Sequence, residues 1–235
     1  MKARRHLIAP VVALVLFAGL TSLAACGGPS GAVDTQKVLA GSSAKMKQIK
    51  GFHFVYEVHK PTSAEPGAGL EIARIIGDVN SEGNMQATID VTQGGIPLQV
   101  KFVALGDTHY ILDPLSQKWQ SMAAKDSLAG SLNLSAGTIQ ILERITEASY
   151  QGQEGKGGTA TYHIRGKTTA QDVKAIAGAV NSTGTFSTDL WIGVDNGLVY
   201  EVDIAGALTT SEDPKIWRSI VLSNLDTFID IKAPQ

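Results

Sequence analysis

The hydrophobic and polar positions of this chain change period several times, and each change marks an element. A basic start (Lys2, Arg4, Arg5) leads into an apolar run over 7–20, and small residues follow up to Cys26. The stretch 27–33, GGPSGAV, is small, flexible and mostly uncharged. The spacing then predicts a helix over 34–49, with Asp34 as its cap and Val38, Leu39, Met46 and Ile49 along one side. Lys50-Gly51 supplies a last-turn cation and a stop. From Gly51 the period is two. Phe52, Phe54, Tyr56 and Val58 alternate with His53, Val55 and Glu57. Residues 61–69 read as a loop by composition, and a less regular strand is expected over 70–79, with a turn at 80–83. Met85, Ala87, Ile89 and Val91 then alternate with Gln86, Thr88 and Asp90, Gly94-Gly95 forms a tight turn, and Ile96, Leu98, Val100 and Phe102 return. Short strands are expected at 108–112 and around Trp119.

The second half repeats the logic. Residues 121–137 are small and polar, and helical spacing over 138–148 aligns Ile139, Leu142 and Ile145. Strands are expected at 149–153 and 159–166, with a turn at 154–158 between them. A third helix is expected over 169–180, with Thr169 as N-cap, Asp172 at the N3 position, and Val173, Ile176, Ala177 and Val180 as its apolar side. Strands over 185–194, 197–205 and 215–222 follow, the first two joined through Asp195-Asn196-Gly197, and 228–231 is expected to add a short last strand.

Such a meander has one apolar and one wet face, and the apolar face must be covered. The simplest arrangement curls the sheet and lays the three helices on its concave side, an α+β open half-barrel. The two layers either meet as an ordinary core or leave a gap. Small residues on the helices (Ala136, Ala175, Ala177, Gly178, Ala179) and an aromatic content of only 6% limit what is available to fill that space. A dry aliphatic gap suits acyl chains and offers few polar groups to orient a small polar ligand.

The start of the chain adds a location. A basic segment, a short apolar run and Leu23-Ala24-Ala25-Cys26 form the layout of a bacterial secretory signal ending in a lipobox, as in bacterial lipoproteins. That resemblance implies removal of 1–25 and diacylglycerol on the thiol of Cys26. It leaves 26–33 as a tether and 34–235 as the folded domain. Cys26 is the only cysteine, so once lipidated it leaves no thiol for disulfides, catalysis or metal ligation. After cleavage 17 basic residues face 22 acidic ones, a formal charge of −5, which argues against a nucleic-acid partner.

Order and spacing over nearly the whole mature chain resemble the LppX/LprG/LprA/LprF group of mycobacterial lipoproteins. The stretches that carry the likeness are Gly83-Asn84-Met85 with its alternating strand and Gly94-Gly95, then Thr161-Tyr162-His163-Ile164-Arg165-Gly166-Lys167 before a helix beginning Thr169-Ala170-Gln171-Asp172-Val173, and Leu190-Trp191-Ile192-Gly193 before Asp195. The resemblance implies a half-barrel related to the LolA/LolB carriers, enclosing an apolar cavity for multi-acyl lipids. On the sheet side Met85, Ala87, Ile89, Val91, Leu98, Val100 and Phe102 would line it. On the helix side Ile139, Leu142, Val173 and Ile176 would do so. The stretches 61–69 and 74–78 have no counterpart that can be placed in the family.

Catalytic chemistry is not expected. No Gly-x-Ser-x-Gly elbow, phosphate loop or dinucleotide glycine pattern occurs, and the histidines do not fall at metal-ligand spacing. His53 and His163 fall on wet strand positions and read as solvated. Glu143, Glu147 and Glu154 read as a solvated face. Trp119, Trp191 and Trp217 read as core or edge packing, with an interfacial role near a cavity mouth or membrane as the alternative. The expected function is a membrane-anchored lipoprotein on the outer face of the cell membrane in a bacterial envelope. It binds acylated lipids or glycolipids and takes part in their transport, with release to a membrane transporter or an acceptor membrane and with no cofactor and no metal. The alternative is an envelope sensor or protein-interaction lipoprotein holding no lipid.

Overall fold

The computed structural model describes residues 33–61, 70–127, 129–130, 132–177 and 180–235, and the folded part is one compact unit from Val33 to Gln235. Residues 1–32, which include Cys26 and most of the expected tether, and residues 62–69 lie outside it, as do Gly178 and Ala179. The helices are α1 (Thr35–Met46), α2 (Leu134–Arg144) and α3 (Ala170–Ala177). The strands of the first half are β1 (Gly51–His59), β2 (Leu70–Asn80), β3 (Met85–Gln93), β4 (Ile96–Leu105), β5 (Thr108–Leu112) and β6 (Trp119–Ala123). Those of the second half are β7 (Thr146–Lys156), β8 (Thr159–Thr169), β9 (Thr185–Gly193), β10 (Val199–Ala205) and β11 (Trp217–Ser223).

The eleven strands among the described residues form one antiparallel sheet in the order β6-β5-β4-β3-β2-β1-β11-β10-β9-β8-β7. Each half of the chain is a meander, and the first and last strands join the halves. β1 pairs β11 from His53↔Ser223 to His59↔Trp217. The sheet is open, with β6 and β7 as its edges, and carries the three helices on one face: the expected half-barrel.

Alternation decides which face is covered. Phe52, Phe54 and Tyr56 of β1, Ile164 of β8, Leu190 and Ile192 of β9, Val202 and Ile204 of β10, and Ile220 and Leu222 of β11 are all buried. They form a single core with Leu39 and Met46 of α1, Leu134, Ile141 and Leu142 of α2, and Val173 and Ile176 of α3. Asp34 caps α1 as expected, its carboxylate accepting from the Lys37 amide.

Several boundaries differ from expectation for identifiable reasons. α2 begins four residues early because Asn133 caps it, its side-chain oxygen accepting from the Ala136 amide. This shifts Ala136 to an exposed position. Gly137 and Thr138 are the buried small residues instead. The helix stops at Arg144, and β7 runs unbroken through 154–156, so only Gly157-Gly158 turns. α3 is shorter than 169–180 but starts as the pattern indicates, with the Thr169 amide and hydroxyl both donating to the Asp172 carboxylate. Residues 228–231 form no strand. Both sides of β1 are already taken by β2 and β11, and Asn224 and Asp226, at φ 48° and 61°, turn the chain away. The Asp226 carboxylate then accepts from the Lys50 amide, and Ile231 is buried without joining the sheet.

Candidate functional site

The apolar layer between helices and sheet is the candidate site. On β3 and β4 the register places the expected residues on one face, in the pairs Met85↔Ala104, Ala87↔Phe102, Ile89↔Val100 and Val91↔Leu98. Met85, Ile89, Val91 and Phe102 are buried, and Ala87 and Val100 are half-buried. On the helices Leu142, Val173 and Ile176 are buried and Ile139 is half-buried. Ten of the eleven expected lining residues therefore meet in one apolar cluster or pack against it. The eleventh, Leu98, lies on the same face but is 38% exposed, and the next residue on that face, Ile96, is 64% exposed. The apolar surface thus continues along the hairpin past the point where the helices cover it.

The helices sit directly on the sheet over the covered part. α2 and α3 cross closely. A Cβ on Gly137 would lie 2.9 Å from the Ile176 nitrogen and 3.0 Å from its Cβ. The Asn133 amide donates to the Ala175 carbonyl at 2.6 Å, so the two helices are joined to each other as well as to the core. A hollow of about 480 Å³ lies between α1 and α2, lined by Leu39, Ala40, Ser43, Lys47, Leu142 and Glu143 among others. Leu39 and Leu142 lie in it, and at its open rim Glu143 accepts from Ser43 and pairs with Lys47. The Lys47 and Ser43 hydrogen bonds hold the Glu143 carboxyl below the usual carboxylate range.

Polar groups within the covered face are few. Arg218 is buried near one end, pairing with Glu212 and donating to the Gly206 carbonyl. Burial pushes the neighbouring Tyr56 hydroxyl up in pKa, opposed by the charge of Arg218. His109 is buried edge-on to Phe102 at 5.0 Å between ring centroids, and desolvation lowers its pKa.

The opposite face carries the groups that sequence reasoning misjudged. His163 is buried, not solvated. Its Nδ1 lies 2.8 Å from Glu154 Oε1 and its Nε2 lies 2.6 Å from Asp189 Oδ1, while its ring stacks on Trp191 at 4.6 Å. Trp191 Nε1 donates to Glu154 Oε2 at 2.8 Å, and this bond leads the interactions that lower the Glu154 pKa. Lys156 stands 4.0 Å over the Trp191 ring and pairs with Glu201 at 2.8 Å. A wet face was the correct reading of the alternation. What it omits is that side chains two strands apart in sequence shield one another once β7, β8, β9 and β10 lie side by side. His53 is partly exposed and bound to Asp78 at 2.8 Å. Glu147 pairs with Lys167, and Arg74 with Glu57 at 2.8 Å, on the same outer surface. No group of three or more metal-ligating side chains occurs among the described residues.

The family model described as LppX_LprAFG lipoprotein matches residues 34–231. The chain belongs to this family. The LppX_LprAFG match spans the helix-covered sheet from the α1 cap to the buried Ile231. Among curated relatives, the lipoarabinomannan carrier protein LprG of Mycobacterium tuberculosis is 26% identical over 199 residues, covering 80% of this chain and 81% of the relative. The protein of the same description from Mycolicibacterium smegmatis is 25% identical over 178 residues, 73% of each chain. Among solved structures, LprF from Mycobacterium bovis superposes with a TM-score of 0.64 at 18% identity, covering 87% of this chain and 99% of its own. LppX from Mycobacterium tuberculosis gives 0.59 at 18% identity, with 84% and 98% covered. These superpositions establish the fold. No helix among the described residues is long and apolar enough to cross a membrane.

Proposed function

We propose that this LppX_LprAFG member is a lipid-anchored carrier that takes the acyl chains of a lipid or glycolipid into the layer between its sheet and its helices. The observation that carries this reading is the β3–β4 apolar face. It is buried in the core shared with the helices at Phe102 and Ile89 and open to solvent at Leu98 and Ile96. An acyl chain entering from the open end meets an unbroken aliphatic surface. Each CH₂ it buries contributes about 0.8 kcal/mol. Entry requires the helices to lift. α2 and α3 move as a pair in this proposal, because the Gly137–Ile176 approach and the Asn133–Ala175 bond couple them. The headgroup stays at the mouth, in water. The relatives described as lipoarabinomannan carriers support an acylated glycolipid as cargo. Diacylglycerol on Cys26 would hold the protein to the outer face of the cell membrane, with a membrane transporter or an acceptor membrane receiving the cargo.

Protein isolated from membranes should release acylated lipid on extraction and take up a fluorescent acyl probe. Val91→Trp should fill the layer and lower probe uptake several-fold while circular dichroism shows the sheet retained. Unchanged uptake would count against the assigned face. A second reading, an envelope sensor or protein-interaction lipoprotein, is favoured by the tight seating of Leu142, Val173 and Ile176 on the sheet. It predicts no co-purifying lipid and no probe uptake.

A further inference from the structure

The β3–β4 hairpin tip has a composition and geometry that a core does not require. From Val91 to Val100 the chain carries no Asp, Glu, Lys or Arg. Ile96 and Leu98 stand out on the tip, 64% and 38% exposed. The turn between them and β3 is Gly94-Gly95, with φ of 57° and 81°, which only glycine adopts freely in succession. The β3–β4 ladder runs up to Gln93↔Ile96, whereas β5 pairs β4 only over Phe102–Leu105, so the outer edge of β4 from 96 to 101 has no strand partner among the described residues. β5 runs antiparallel to β4, so the β5–β6 turn leaves the sheet at the same end, and it presents Leu115, 94% exposed. Trp217 begins β11 at that end also, 38% exposed and stacked on His59 at 3.7 Å.

We propose that this end of the sheet is a docking surface for a lipid bilayer, with the β3–β4 tip entering the interfacial region and Leu115 and Trp217 resting beside it. Two features select a bilayer over a protein partner. A tip without charge enters the interfacial region without burying an ion, and the outer edge of β4 that lacks a strand partner stays within reach of headgroup water there. The chain outside the structure also sets the neighbour. Seven residues separate Cys26 from Asp34, a reach of about 25 Å, so an anchored domain meets its own bilayer at high effective concentration. An amphipathic Trp at the margin of the surface fits the headgroup level. This inference rests on the Cys26 anchor proposed above and does not depend on which cargo, if any, the layer holds.

The test uses the anchored full chain in proteoliposomes of phosphatidylethanolamine and phosphatidylglycerol. Cys26 is the sole native cysteine and has no free thiol once lipidated, so Leu98→Cys carries a single environment-sensitive fluorophore. Ser81→Cys, exposed in the β2–β3 turn at the opposite end, is the reference. Bilayer docking predicts blue-shifted emission at 98, quenched several-fold more by doxyl-labelled lipid than emission at 81. Equal quenching at the two sites overturns the proposal. A blue shift at 98 without lipid quenching also overturns it and assigns the tip to a protein contact. Loss of the anchor reads differently: the mass of Cys26 is unmodified and the protein leaves the membrane fraction.

Discussion

Asp203 shows how far a single residue's chemistry is set by its neighbours. It lies on β10 opposite Asp189 of β9, beside Glu201, with Lys156 and His163 nearby, and its Oδ1 is buried without a hydrogen-bond partner. Burial first, then the Glu201 and Asp189 charges, push its carboxyl from 3.8 up to about 7. A raised acid keeps its proton in the folded state where the unfolded chain has already released it. Stability contributed by this group is therefore greatest below the unfolded value and declines as pH rises from about 4 to about 7. Asp203→Asn should raise Tm by about 2–4 °C at pH 8, the gain shrinking towards pH 4, as followed by thermal melts across that range. His109 acts in the opposite sense. Its pKa is lowered by burial, so its contribution is complete above the ordinary histidine value and falls as pH drops through it. His109→Gln should make the melt less sensitive to acid below pH 6.5.

At the scale of elements, α2 and α3 decide whether the apolar layer is closed. Asn133 caps the first turn of α2 and its amide is tied to Ala175, so Asn133→Ala should cost about 1 kcal/mol in a denaturant titration. Gly137→Val places a side chain against Ile176 where there is no room. The substitution should cost about 1–3 kcal/mol and should also loosen the pair. If lifting of α2 and α3 admits cargo, probe uptake should become faster in Gly137→Val even as stability falls. A slower or unchanged rate would show that entry does not use this seam. The N-terminus of α2 was illegible in the sequence because Asn133-Leu134-Ser135 sits inside a small, polar stretch. Only the packing of Gly137 against α3 gives those residues a helical role.

At the scale of the whole molecule, the decisive contact is β1 against β11. It joins residues more than 150 positions apart and converts two meanders into one sheet. Phe54, buried on β1 between β2 and β11, sits at this junction. Phe54→Ala should cost about 3–5 kcal/mol in a denaturant titration and unfold both halves in one transition. A two-step transition would show that each meander is stable alone. The anchor belongs to this scale too. If Cys26 carries the anchor and the layer between sheet and helices binds the acyl chains, as proposed, Cys26→Ala should leave acyl-probe binding intact and release the protein from the membrane fraction.

Local alternation and helical spacing determined most of the elements and the apolar face of β3 and β4, because both periods are properties of neighbouring residues and survive without tertiary context. They also placed Asp34 and the Thr169–Asp172 pair at helix starts, where a side chain bonds its own backbone. What only the tertiary structure decided depends on strands distant in the chain. It is the β1–β11 junction that leaves 228–231 no free side of β1 to pair with. It is the burial of His163 between Glu154 and Asp189 that removes a histidine from water. It is the extent of the helix cover that leaves Leu98 and Ile96 exposed while Val91 is buried. A strand's period says which side chains share a face, but not what lies over it. That is settled by where α2 and α3 come to rest.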